Sequence, residues 1–136
     1  VELVHDVRQV PWSHKRGFSR SSLSLALSVA GIGYVHVGEL GCPQSIRKAF
    51  KVEADWGAYV RRYRQHLASQ ADAIERIQEV LKHRRSCLLC FEADAYRCHR
   101  SLIAEALCNR TNGGVDVVHL VIPQKVAQSV SPLLQT

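Results

Sequence analysis

The densest chemistry in the chain lies between Cys90 and Arg100. A thiol and a carboxylate (Cys90, Glu92) are followed by a thiol, an imidazole and a guanidinium (Cys98, His99, Arg100). Cys98 is the sharpest candidate. It stands at the start of an expected helix, where free backbone N–H groups and the helix dipole favour thiolate, the reactive form. Arg97, His99 and Arg100 add positive charge around it. Glu92 could act as a general acid or base, or could orient His99 or Arg100. Arg100 could clamp an oxyanion in bidentate fashion. The structural alternatives are a small buried Cys98 packing the helix start, and ordinary ion pairs for Glu92 and Arg100.

Other polar residues fall at strand ends, and in open α/β sheets ligands bind beyond the carboxyl ends of the strands. An early strand delivers Asp6 and Arg8, two residues apart and so on one face. They read as a rim ion pair, a ligand grip, or both. A second strand delivers His36, and a third ends at Cys90, read as a pocket floor. Ser13 lies on a polar loop past the first strand. The expected site therefore has Cys98, His99 and Glu92 as catalytic groups. Asp6, Arg8, Arg100, Ser13, His36 and Cys90 are substrate contacts, and all converge on one rim. His5, His66 and His83 read as surface or core residues, and His119 as a core histidine within a strand.

Three sharper motifs are set aside. Cys87-x-x-Cys90 with Cys98-His99 invites a zinc site. Strand positions three apart point to opposite faces, so no metal and no cofactor is expected. A tyrosine-phosphatase loop needs a spacing one residue shorter than Cys90 to Arg97. It would also place Glu92 and Asp94 where they repel a phosphate. A rhodanese-like loop meets the same objection, although the early Asp6-Val7-Arg8 and the later strand-Cys-loop-helix are similar to that layout.

The elements that must hold these groups alternate. Residues 2–8 read as a strand ended by Pro11. Ser19 is a plausible N-cap for a helix carrying Leu23, Ala26, Leu27 and Ala30, stopped by Gly31 and Gly33. Residues 34–37 form a second strand, followed by a turn-rich loop from Gly38 to Pro43. Asp55 could cap a long helical region in which Trp56, Tyr59, Val60, Tyr63 and Leu67 make an apolar stripe. Ile74, Ile77 and Leu81 continue it after a break near Ser69. The apolar run 86–91 suits a central parallel strand. A helix over 97–109 follows, then a last strand over 115–122 ended by Pro123. Such alternation predicts an α/β fold, with a mostly parallel sheet of about four strands flanked by helices.

At 136 residues the chain is one domain's worth, expected over 1–123 with a weakly patterned tail over 124–136. Hydrophobic residues are 46% and charged residues 22%, an ordinary globular mixture. No apolar run approaches the roughly 20 residues of a membrane span, and no signal-like segment opens the chain. Five cysteines, an odd number, fit free thiols in a reducing cytoplasm. Methionine is absent and Val1 begins in strand-like sequence, so the chain is expected to start after its native start. Most of the +6 net charge sits in residues 47–85, where ten Lys/Arg face five acids. That stripe could track nucleic acid or phosphorylated ligands, or be a solvated helix surface.

These residues resemble the domain-of-unknown-function family 488, a group of small bacterial and archaeal proteins. The matching segments are Asp6-Val7-Arg8 with Pro11 and Ser13, Gly17-Phe18-Ser19, Tyr34-Val35-His36, and Leu40-Gly41. Most specific is Cys90-x-Glu92…Cys98-His99-Arg100-x-x-Ile103-Ala104, and His119-Leu120 also fits. The resemblance spans roughly 3–122. It implies an α/β sandwich of unestablished activity, with Asp6, Arg8, Glu92, Cys98, His99 and Arg100 as the motif residues. Family members usually open with a further strand and helix and a Thr-x-Gly-His-Ser-like segment, which this chain lacks.

The leading expectation is an enzyme of hydrolase or transferase type, using Cys98, His99 and Glu92 on a small anionic or nucleotide-like substrate. Arg8 and Arg100 would hold the anion. The alternatives are a nucleic-acid-associated module using residues 47–85, and a structural or partner-binding domain without catalysis.

Overall fold

Residues 1–121 are described by a computed structural model, and they form an α/β fold. The strands are β1 (Leu3–Asp6), β2 (Gly33–His36) and β3 (Ser86–Leu89). The helices are α1 (Arg20–Val29), α2 (Gln44–Glu53), α3 (Trp56–Ala68), α4 (Ala71–Leu81) and α5 (His99–Arg110). The sheet has the order β2-β1-β3 and both pairings are parallel, with Asp6 opposite His36 on one side and Leu89 on the other.

The expected parallel sheet is present, with three strands among the described residues rather than about four. Residues 115–121 form no strand, and Val117, Val118, Leu120 and Val121 are exposed. β-branched residues favour a strand only where they pair with an edge and bury a face, and among the described residues 115–121 do neither. His119 is therefore not a core histidine; its half-buried ring lies 5.0 Å from that of Tyr96. Pro123 and the tail over 124–136 lie outside the described residues.

The central strand is also not the one expected. β3, the more apolar, is an edge strand and half-buried throughout, whereas β1 is central and wholly buried. Its polar residues hide the fact in the sequence, because a buried polar group is tolerated once it is partnered. Asp6 is partnered by Arg8 and Tyr34, and His5 Nε2 approaches Ser86 Oγ at 3.1 Å while its Nδ1 is buried without a partner among the described residues.

One face of the sheet is covered by α3, α4 and α5. Val7, Val37 and Leu40 pack there with Tyr59, Tyr63, Leu67, Ile74, Ile77, Leu102, Ile103 and Leu107. The stripe on α3 is core, as its spacing predicts, and Asp55 caps the helix by accepting from the Ala58 N–H at 3.0 Å. Helix α2 is not legible in advance, since Ile46 and Phe50 are its main inward apolar anchors. Left-handed Ala54 (φ 52°) turns it into α3. The opposite face is covered only lightly, and α1 buries none of its residues fully. No helix of the described residues is long and apolar enough to cross a membrane.

Candidate functional site

Strand alternation splits the expected rim into two clusters, back to back across β1. Asp6 and Arg8 point to the α1 side, and Val7 between them points into the helical core. On the α1 side the Asp6 carboxylate accepts from Arg8 Nε at 2.8 Å and Nη2 at 2.6 Å, and from the Tyr34 hydroxyl at 2.5 Å. Arg8 Nη1 donates to the Phe18 carbonyl at 2.7 Å, and His36 Nε2 meets the Arg8 carbonyl at 2.8 Å. Asp6 and Arg8 are both almost wholly buried. Burial pushes the Asp6 carboxyl up, but hydrogen bonds from Arg8 and Tyr34 outweigh it and hold its pKa below the usual range. Burial, with the carboxylate beside it, lifts the Tyr34 hydroxyl to about 12. The strongest donors of Arg8 are thus spent inside the protein. The pair latches the first loop to the sheet.

The second cluster lies on the core side, where β3 and α5 meet. Strand alternation puts Cys90 on the same face as Leu88, against the core. Cys98 is the N-cap of α5 and Arg100 N–H points at its sulfur at 3.5 Å. Sulfur caps a helix poorly as a thiol and well as an anion. Its Sγ stands 2.7 Å from Cys90 Sγ and 3.6 Å from His99 Nδ1. His99 Nε2 sits 2.8 Å from the Val7 carbonyl, which can only accept, so Nε2 carries a proton. That leaves Nδ1 facing the thiol. Tyr63 packs edge-on to the His99 ring at 5.4 Å and is fixed by its own hydroxyl bond to the Leu40 carbonyl at 2.6 Å.

The two sulfurs share a proton unequally. The hydrogen bond from Cys90 lowers the Cys98 pKa; burial opposes it, and His99 and the Arg100 N–H add to the lowering, to about 4. The same bond, with burial, drives Cys90 strongly upward. Cys98 carries the negative charge because the imidazole and the helix terminus face it rather than Cys90.

The remaining expected residues stand apart from this centre. Glu92 is exposed and makes no ion pair among the described residues, because β3 ends before it and leaves it in solvent. Its backbone serves instead: the Glu92 N–H donates to Cys90 Sγ at 3.3 Å, and Arg100 Nη2 donates to the Glu92 carbonyl at 2.6 Å and to the Ala93 carbonyl at 3.3 Å. Arg100 therefore ties down the loop over the thiols, and neither Asp6 nor the Glu92 carboxylate is its partner. Ser13 organises the loop before α1 through Ser19, whose hydroxyl serves that contact instead of capping the helix. Within the basic region, Arg62, Arg64, Arg76 and Lys82 each pair with a carboxylate. Cys87 takes no part in the thiol centre, as alternation requires. Yet Cys90, Cys98 and His99 each bring a potential ligand atom within 4.8 Å of the others, a gathering that the Cys87-x-x-Cys90 argument overlooks. Tyr34, Tyr63 and the Val7 carbonyl are further supports that residue type alone does not reveal. A groove of about 360 Å³, lined by Trp56, Tyr96, Ser101 and Leu102 among others, opens beside the first turn of α5.

The fold and the site define a small parallel α/β protein with a buried two-thiol, one-imidazole centre at the carboxyl end of its sheet. The chain belongs to the family described as "Domain of unknown function DUF488", whose profile matches residues 1–107. No curated protein and no solved structure matches it.

Proposed function

We propose that the protein is a thiol-dependent enzyme of hydrolase or transferase type, with Cys98 as nucleophile and a small anionic or nucleotide-like substrate. One observation carries this reading. The Cys98 sulfur caps α5 while touching both Cys90 Sγ (2.7 Å) and His99 Nδ1 (3.6 Å), an arrangement that stabilises thiolate at neutral pH. His99, oriented by the Val7 carbonyl, is placed to hold or return a proton at Nδ1. Glu92, exposed beside the loop, is available to a bound substrate rather than to the thiolate. The N-terminus of α5 favours an anion. The aromatic walls of the neighbouring groove, Trp56 and Tyr96, favour a flat group. Because Cys98 is only 1% exposed, the substrate must displace the loop over residues 91–97, which Arg100 holds by two carbonyl bonds.

The test is the rate of Cys98 alkylation by iodoacetamide against pH, followed by peptide mass spectrometry so that burial affects only the absolute rate. The rate should be flat from about pH 6 to pH 9, because the thiolate is already formed. A rate that climbs tenfold per pH unit toward about 8.5, as for a free thiol, would remove Cys98 as an activated nucleophile.

A further inference from the structure

We propose that Cys90 and Cys98 form a redox-active dithiol that reduces hydrogen peroxide and closes into a disulfide across the 91–97 loop. The inference goes beyond a Cys98 nucleophile, and rests on Cys98 being reactive.

The sulfur spacing argues for a bond between the thiols rather than a metal between them. Two thiolates on one tetrahedral zinc stand about 3.7 Å apart, given metal–sulfur bonds of about 2.3 Å. Here they stand 2.7 Å apart, closer to the roughly 2.05 Å of a disulfide. Among the described residues the centre also offers three donors rather than the four of a closed metal site. The two thiols differ in surroundings as an attacking and a resolving thiol must. Cys98 is wholly buried under the loop, at the helix terminus and His99, and Cys90 is half-buried beside it. With the loop closed, the burial of Cys98 favours a small oxidant such as hydrogen peroxide over a bulky disulfide.

The chemistry balances with this oxidant. The Cys98 thiolate attacks one peroxide oxygen and the O–O bond breaks, giving a sulfenic acid and hydroxide. The hydroxide leaves as water with the proton held between His99 Nδ1 and the thiol pair. Cys90 sulfur then attacks Cys98 sulfur, the S–O bond breaks, and the hydroxyl departs as a second water with the Cys90 proton. Two thiols lose two electrons and peroxide gains them. Two equivalents of a thiol reductant restore the dithiol.

The experiment treats the reduced full chain with one equivalent of hydrogen peroxide, blocks remaining thiols, and maps tryptic peptides without reduction. The expected product has lost two hydrogens, about 2 Da. It joins peptide Ser86–Arg97 to peptide Cys98–Arg100 and reverts with a thiol reductant. Cys87→Ser should leave that link intact. Cys90→Ser should abolish it and leave a Cys98 sulfenic acid that dimedone traps. Two results would overturn the proposal. One is oxidation of Cys87 or Cys108 while Cys90 and Cys98 stay alkylatable. The other is one tightly held zinc per chain whose removal is needed before either thiol reacts. A flat alkylation profile with no disulfide would sink the redox couple and leave the nucleophile standing. A free-thiol profile together with the disulfide would do the reverse.

Discussion

Removing the Asp6 carboxylate tests whether the latch on the α1 side is structural and separate from the thiol centre. Asp6→Ala deletes the acceptor of two Arg8 donors and of the Tyr34 hydroxyl, at 2.5–2.8 Å, from a site with no exposure. It leaves a guanidinium, 2% exposed, with the Phe18 carbonyl as acceptor and the Phe91 ring 5.3 Å away. Breaking one side of a buried pair costs about 3–5 kcal/mol, mostly the stranded charge. At about 2.1 cal/mol/K of unfolding entropy per residue, a chain of 136 residues should lose about 10–17 °C in Tm. Urea unfolding followed by circular dichroism supplies the free energy directly. The pH dependence has a definite sign. The folded Asp6 pKa lies below its unfolded value, so the unfolded state takes up the proton first. The wild-type contribution is present above about pH 4 and is lost as pH falls through the folded value. The acid limb should be shallower in Asp6→Ala. Replacing the pair together, Asp6→Leu with Arg8→Met, should recover most of the loss, because no charge is left unpaired. At low temperature, where the variant stays folded, the Cys98 alkylation profile should match wild type. A loss under about 1 kcal/mol would refute the buried-latch reasoning, and a shifted Cys98 profile would refute the separation of the two clusters.

His99→Gln keeps a donor for the Val7 carbonyl but removes Nδ1 from beside Cys98. The Cys98 alkylation midpoint should move to higher pH, and an unchanged profile would assign the thiolate to Cys90 and the helix terminus alone. Gly41→Ala places a Cβ 2.3 Å from the Gln9 nitrogen, a backbone atom that cannot swing away. Chemical denaturation should show a loss of about 1–3 kcal/mol, and wild-type stability would mean that the Leu40–Gly41 turn can move away from the loop after β1.

Much of the fold is legible in the residues, for reasons that particular elements make plain. The α3 stripe from Trp56 to Leu67 and the Asp55 cap follow from helical period and one side-chain acceptor, both local properties. The parallel sheet follows from alternation of strands and helices. Residues 115–121 mislead because a β-branched run reads the same whether or not an edge waits for it. Helix α2 is missed because its apolar pattern is sparse. Choosing β3 as the central strand fails because hydrophobicity is a proxy for burial, and β1 is buried through partnered polar groups.

The sequence by itself determined an α/β chain with Cys98 at a helix start, Asp6 and Arg8 on one strand face, and Cys87 turned away from Cys90. Periods of 3.6 and 2 fix those relations without any neighbour. Only the tertiary structure decided that Asp6 and Arg8 satisfy each other on the far side of β1 from the thiols. It alone brought Cys90 onto Cys98 and turned His99 Nδ1 toward them by anchoring Nε2 on Val7. Those relations depend on which helix covers which face and on where β3 stops, and both are set by packing between segments far apart in the chain.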